Sequence, residues 1–314
     1  MSAALAFLFP GQGSQAVGML RDLAQAHPLV GETFAEASEV LGRDLWRLVD
    51  EGPKEELDRT ENTQPAMLAA GVAVWRVWQA AGGPEPQAVA GHSLGEYGAL
   101  VAAGALSFVD AVAVVAERGR LMQAAVPPGA GAMAAIIGAA DADVVALCEA
   151  QAQGEVLEAV NFNAPGQVVI AGARAAVERA SEAAKDAGAK GVVALPVSVP
   201  AHSSLMRPAA ERLAERLAGV ALAAPQIPIL HNASVAPEPD PVRMRELLVR
   251  QLYSPVRWVE TVQRLAGEGA GLAIECGPGR VLTGLGKRID KRFKTLPVFD
   301  PDTLATALEA ANAA

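Results

Sequence analysis

Cysteine is almost missing from this chain: Cys148 and Cys276 are the only two in 314 residues. Two isolated thiols offer neither a disulfide framework nor a metal-ligand spacing, so a reducing compartment, the cytoplasm, is expected. Aromatic residues are also few, at 4%. Ala, Gly and Val dominate instead, which favours helices packed closely on a parallel sheet. Basic residues are outnumbered, with 26 Lys and Arg against 35 Asp and Glu for a net charge of -9. No stretch joins a basic run to stacking aromatics, so nucleic-acid binding is excluded. No apolar run is long enough to span a bilayer. The short apolar stretch at 3–9 has no basic residues before it and no cleavage-site pattern, so no signal peptide is expected. What remains, 51% apolar and 19% charged, is the composition of a compact soluble enzyme with a large core.

The most informative stretch is Gly91-His92-Ser93-Leu94-Gly95. Residues 86–90 before it read as a short strand, and residues 96–103 after it as a helix of small residues. Strand, Gly-flanked turn and helix is the context in which G-x-S-x-G makes a nucleophile elbow, with the Ser93 hydroxyl raised clear of the backbone. Leu94 opens the helix, so its N–H points towards any anion forming beside Ser93.

Residues 4–9 form an uninterrupted apolar run, suited to a strand buried on both faces. The run ends in Pro10-Gly11-Gln12-Gly13-Ser14-Gln15. This loop carries neither a phosphate-loop Gly-Lys-Ser/Thr nor a G-x-G-x-x-G fingerprint. It is either an ordinary turn or the source, through Gln12, of the second N–H donor that an elbow requires from another strand's loop. Residues 17–82 read as helices, with polar punctuation at 57–65 ahead of an apolar helix at 66–81. Gly82-Gly83-Pro84 stops that helix. Residues 107–124 form a further helix with Ser107 as cap and Asp110 in the capping-box position. On it, the helical neighbours of Arg118 are Val114, Val115, Leu121 and Met122, all apolar. A guanidinium on such a face needs an anion, either a protein carboxylate or a substrate carboxylate held by its fork.

Pro127-Pro128-Gly129-Ala130-Gly131 is the clearest linker. Beyond it, strands at 132–137, 156–160, 167–171 and 190–195 alternate with helices at 141–151 and 173–187. This is the β-α-β-β-α-β order of a ferredoxin-like unit. We therefore expect an α/β protein: a catalytic part at 1–128 and 198–314 with a parallel sheet, and a small inserted unit at 129–197. The polar connection at 161–166 either faces a cleft or is a simple hairpin. Of the four histidines, His27 looks incidental and His92 is expected to turn away from Ser93 and pack. His202, in a loop running into a helix, and His231, at a strand's carboxyl end, are both eligible as the base for Ser93.

Residues 9–15, 91–97, 199–206 and Arg118, with residues 161–172 and 274–279, together resemble the malonyl-CoA:acyl-carrier-protein transacylase family of fatty-acid synthesis. The resemblance runs from the first strand to about residue 300, with several separated motifs in the family's order. It implies an α/β-hydrolase-like large subdomain and a ferredoxin-like small one. It implies Ser93 as nucleophile and His202 as its base, with oxyanion N–H groups from Gln12 and Leu94. Arg118 would bind the free malonyl carboxylate, and the Gln251 backbone carbonyl would orient the histidine. Ala201 departs from the Ser or Phe common in relatives, which affects pocket shape, and His231 has no family role. A hydrolase elbow orders Ser, Asp or Glu, then His along the chain. Here the carboxylates at 141–186 belong to the inserted unit and Asp110 starts the Arg118 helix, so a Ser–His dyad is the better expectation.

The implied reaction is ping-pong transfer of malonyl from malonyl-CoA to holo acyl-carrier protein, with no metal or redox cofactor, by a monomer. The densest basic run supplies a candidate docking surface for the acidic carrier at Lys287, Arg288, Lys291 and Arg292, with Lys185 and Lys190 as competitors. A discrete acyltransferase of a polyketide pathway, a serine acyl-CoA hydrolase and a catalytically idle carrier-binding module are the other readings.

Overall fold

Strand β1 (Ala4–Phe9) is the centre of the molecule because both its faces are covered. Leu5, Phe7 and Phe9 enter one apolar cluster, and Ala6 and Leu8 enter another on the opposite side. That is what an unbroken apolar run in a parallel sheet requires. In the computed structural model, which describes residues 4–197 and 199–313, the chain continues through α1 (Arg21–Ala26), α2 (Pro28–Leu41), α3 (Leu45–Glu51), α4 (Lys54–Leu57) and α5 (Thr60–Ala80) to β2 (Ala88–Gly91). Next come α6 (Gly95–Ala102), α7 (Phe108–Ala124), β3 (Gly131–Ile137), α8 (Asp141–Ala152), β4 (Leu157–Ala164), β5 (Gln167–Ala173), α9 (Arg174–Ala183) and β6 (Gly191–Ala194). The rest is α10 (Arg207–Ala218), β7 (Ile229–Leu230), α11 (Pro241–Gln251), α12 (Trp258–Gly267), β8 (Ala270–Cys276), α13 (Val281–Ile289), β9 (Lys294–Val298) and α14 (Pro301–Ala313).

The larger sheet has the order β7-β2-β1-β8-β9, with every pairing parallel. Phe7 meets Trp75 and Trp78 of α5 edge-on, with ring centroids 5.1 and 5.2 Å apart. Such pairs each add about 0.5–1.5 kcal/mol beyond the apolar area they bury.

The second sheet has the order β4-β5-β3-β6 and is antiparallel throughout. Its β-α-β-β-α-β chain order and interleaved strands are those of a ferredoxin-like unit, as expected. Helices α8 and α9 cover one face through Ile136, Val144, Val168, Ile170 and Val177. The other face presents Met133, Ala135, Val160 and Val169 towards Leu195, Val197 and Ala201. The expected point of return at residue 198 falls on Ser198, which lies outside the described residues, as do 1–3 and 314.

The main local departure from expectation concerns residues 57–65. Only Asp58 and Arg59 punctuate, between α4 and α5: α5 already begins at Thr60 and carries Pro65 inside it. Asn62 Nδ2 donates to the Glu56 carbonyl at 2.7 Å and Thr63 Oγ1 to the Leu57 carbonyl at 2.5 Å. These side chains thereby serve the end of α4, and Thr60, Asn62, Thr63 and Gln64 are buried. Among the described residues no helix is long and apolar enough to cross a membrane.

Candidate active site

The turn between β2 and α6 is only His92, Ser93 and Leu94 long, and Ser93 takes the left-handed conformation, φ 52°. An L-residue held there costs about 1–2 kcal/mol, so the neighbours must fix it. A Cβ on Gly91 would lie 1.9 Å from the Gly95 carbonyl carbon, and one on Gly95 would lie 1.9 Å from the Phe9 carbonyl oxygen. The two glycines are therefore needed for close approach of backbone to backbone. The Ser93 N–H donates to Asn232 Oδ1 at 2.7 Å, and Asn232 Nδ2 donates to the Gly91 carbonyl at 2.6 Å. The Ser93 carbonyl accepts from Gln251 Nε2 at 3.0 Å. Asn232 carries no signal in the sequence beyond its place after β7, and sequence reasoning passes over it.

His202 also has positive φ, 66°. Its Nε2 lies 2.7 Å from Ser93 Oγ, and its Nδ1 lies 2.8 Å from the Gln251 carbonyl oxygen. A carbonyl only accepts, so Nδ1 bears the proton and Nε2 faces Ser93 with its lone pair. Burial, reinforced by the positive charge of Arg118, pushes the His202 pKa down to about 3. The imidazole is thus neutral near pH 7. Ser204, two residues on, is clamped by Glu158 of β4: its N–H donates to Oε2 at 2.8 Å and its hydroxyl to Oε1 at 2.7 Å. Strand β4 also exchanges backbone bonds with Val256, so the smaller sheet braces both the histidine loop and the segment after Gln251.

Arg118 is 1% exposed. Its partners are two neutral amides rather than a carboxylate: Nη1 donates to Gln64 Oε1 and Nη2 to Gln251 Oε1, each at 2.9 Å. Nη2 is also 3.4 Å from Ser93 Oγ. Among the described residues Nε is buried without a partner. Gln64 is missed by sequence reasoning, which assigns it to a polar break. Its position three and four residues before Met67 and Leu68, on the buried face of a helix, is the signal that would have found it.

Gly11 lets the loop after β1 lie on the elbow, since a Cβ there would be 2.6 Å from the His92 carbonyl oxygen. This brings Gln12 into the wall of the cavity that Ser93 also lines. Among the described residues neither the Gln12 nor the Leu94 N–H has a backbone acceptor. Both residues line a cavity of about 430 Å³ together with Ser93, Arg118 and His202.

Three other expectations are resolved. His231 is fully buried at the end of β7 and binds Glu96 Oε1 through Nδ1 at 2.7 Å, so it does not face Ser93. His92 packs edge-on against Trp258 as expected, with ring centroids 5.3 Å apart. Contrary to expectation it also lines the cavity, and its Nε2 meets Asn163 Oδ1 at 2.7 Å. Both readings of 161–166 hold, because β4 runs on to Ala164 before a tight turn while Asn161 and Asn163 line the cavity. Among the described residues no group of His, Cys, Asp or Glu is arranged to hold a metal ion.

The acyl transferase domain model matches residues 6–302. The malonyl CoA-acyl carrier protein transacylase of Escherichia coli (strain K12) is 55% identical over 304 residues, covering 97% of this chain and 98% of that protein. The Bacillus subtilis (strain 168) protein of the same name is 46% identical over 306 residues, 97% of this chain and 96% of that protein. Among solved structures, a malonyl-transacylase in complex with its type II PKS acyl-carrier protein superposes with a TM-score of 0.97 at 55% identity, covering 98% of this chain and 99% of that one. The malonyl CoA-acyl carrier protein transacylase of Coxiella burnetii gives a TM-score of 0.98 at 48% identity, covering 99% and 98%.

Proposed function

The chain belongs to the acyl transferase domain family, and from that footing we propose that it carries malonyl from malonyl-CoA to the phosphopantetheine thiol of holo acyl-carrier protein, supplying fatty-acid chain elongation. One observation carries the reading: a hydroxyl, a neutral imidazole and a buried guanidinium with unspent donors meet in one cavity. Ser93 Oγ attacks the thioester carbonyl as its proton passes to His202 Nε2. The N–H groups of Gln12 and Leu94 receive the oxyanion, each donor typically worth ~3 kcal/mol. The C–S bond breaks, and His202 returns the proton to the CoA sulfur. The ester left on Ser93 places its free carboxylate beside Arg118, whose fork suits two-point capture. The carrier thiol then gives its proton to His202 and attacks the ester, and Ser93 leaves with that proton restored.

Side chains and backbone supply every group in this scheme, so we propose that no cofactor is required and that the reaction runs in the cytoplasm. We take the catalytic part as 1–128 and 198–314, the small unit as 129–197, and the working form as a monomer. For carrier docking we retain the basic run. Arg288 bonds Gln167 Oε1 and the Pro165 carbonyl, and Arg292 pairs with Asp290 at 2.8 Å. Charge reversal at Lys287 and Lys291 is therefore the cleaner docking test, and an unchanged carrier-binding constant would exclude the run.

The deciding experiment is an intact-mass time course with malonyl-CoA, followed by addition of holo carrier. A malonyl adduct on Ser93 that moves to the carrier is expected. Malonate and CoA released at the turnover rate without carrier would make the protein a hydrolase. The absence of both adduct and release would mean another donor or an inert module. Parallel runs with fatty-acid and polyketide carriers separate the two pathways.

A further inference from the structure

Glu96, in the first turn of α6, is fully buried, and among the described residues its carboxylate makes no hydrogen bond to Ser93 Oγ or His202. Its carboxylate is saturated all the same. Oε1 meets His231 Nδ1 at 2.7 Å, and Oε2 accepts from Gln251 Nε2 at 2.7 Å and from the Asn232 N–H at 3.1 Å. A carboxylate with no exposure requires compensation. So does Arg118, whose direct partners are neutral.

One amide joins the two. Gln251 donates from Nε2 to Glu96 and accepts at Oε1 from Arg118. Glu96 Oε2 and the Ser93 carbonyl both accept from Nε2, and together they fix which way that amide points. The oxygen must then face the guanidinium. With the amide reversed, its NH2 would confront Arg118 donor to donor. A direct Glu96–Arg118 pair would compensate the charges equally well. It would also occupy the fork with a tethered carboxylate that a substrate carboxylate would have to displace.

We propose that Glu96, held by His231, is a positioning residue: through Gln251 it orients and compensates Arg118 while leaving the guanidinium open to a ligand carboxylate. This rests on the reading of Arg118 as the carboxylate-binding group. The bond that His202 Nδ1–H donates to the Gln251 backbone carbonyl does not depend on the amide's orientation. Loss of Glu96 therefore harms acyl donors that carry a distal carboxylate more than those that do not.

The test is the ratio of kcat/KM for malonyl-CoA to kcat/KM for acetyl-CoA in the full chain. The expected result is a fall in this ratio of at least tenfold in Glu96→Gln and a larger fall in Arg118→Ala, with the combined variant no lower than Arg118→Ala alone. His231→Asn, which keeps a donor near the Nδ1 position, should hold the ratio within threefold of the parent, and His231→Leu should lose it. The His231 pair carries the same comparison should Glu96→Gln fail to fold. If Arg118→Ala loses selectivity while Glu96→Gln and His231→Leu keep it, the proposal is wrong and the Arg118 reading stands. Equal falls for both donors would reduce Glu96 to a structural role and overturn the proposal. An Arg118→Ala enzyme as selective as the parent would sink both readings.

Discussion

Asn232→Asp replaces one N–H2 with an oxygen and leaves the shape of the side chain unchanged, which isolates the brace on the elbow. The acceptor for the Ser93 N–H survives. The donor to the Gly91 carbonyl, now at 2.6 Å, becomes an oxygen facing an oxygen in a site that is 1% exposed. A lost neutral hydrogen bond is worth about 1 kcal/mol and a buried unsatisfied carbonyl about 1–3 kcal/mol, so the cost is about 2–4 kcal/mol. With roughly 2.1 cal/mol/K of unfolding entropy per residue, that lowers Tm by about 3–6 °C for a chain of this length. The new carboxyl recovers the bond to Gly91 by keeping its proton, which raises its folded-state pKa. A raised pKa contributes stability that is present below the unfolded value and lost as pH rises through the folded one. The Tm deficit relative to the parent should therefore grow from pH 5 to pH 8. Differential scanning calorimetry across that range measures it, and turnover should fall at least tenfold as the turn loosens. A variant matching the parent in Tm at every pH would refute the brace.

Because burial and Arg118 hold the His202 pKa near 3, kcat/KM for malonyl-CoA should stay flat from pH 7 to pH 5. A break near 6.5 would mean an ordinary imidazole. The same depression gives a stability contribution that is present above the unfolded pKa of about 6.5 and is lost as pH falls through the folded value of about 3, visible as progressive acid destabilisation in urea titrations. Gly95→Ala sets a Cβ 1.9 Å from the Phe9 carbonyl oxygen. The backbones must separate, at a cost above about 3 kcal/mol, so loss of soluble protein or of all turnover is expected; a fully active alanine variant would contradict the packing. Glu158→Ala removes both bonds to Ser204. It should cost about 1–2 kcal/mol, as cap losses do, and slow both half-reactions, as quench-flow would register.

The elements that could be read directly from sequence are those specified locally. An apolar run with no alternation gave β1, glycines at fixed offsets gave the elbow, and Pro127-Pro128-Gly129 marked the passage to the smaller sheet. Arg118 stood out because its helical neighbours are all apolar. The roles missed act across the chain. Asn232 reaches back to Ser93 and Gly91, and His231 to Glu96, over separations that no window spans. Gln64 was hidden for a different reason. Thr60, Asn62 and Thr63 beside it look like solvent-facing punctuation, and only the carbonyls at the end of α4 turn them into a buried helix start.

The pairing of β1 has a consequence for the newborn chain. Residues 4–9 leave the ribosome ahead of both their partners, and β2 follows to cover one edge. The other edge waits for β8, where Leu8 stands opposite Glu275. Until β8 has been made, this apolar strand offers unpaired N–H and C=O groups to any passing neighbour, the condition under which nascent chains aggregate. Shortening the gene to stop before residue 270 should therefore yield insoluble product even though the proposed nucleophile and base, Ser93 and His202, are present in it. The elbow and its base both precede β8 in the chain, and they become an enzyme only when that strand arrives to close the sheet.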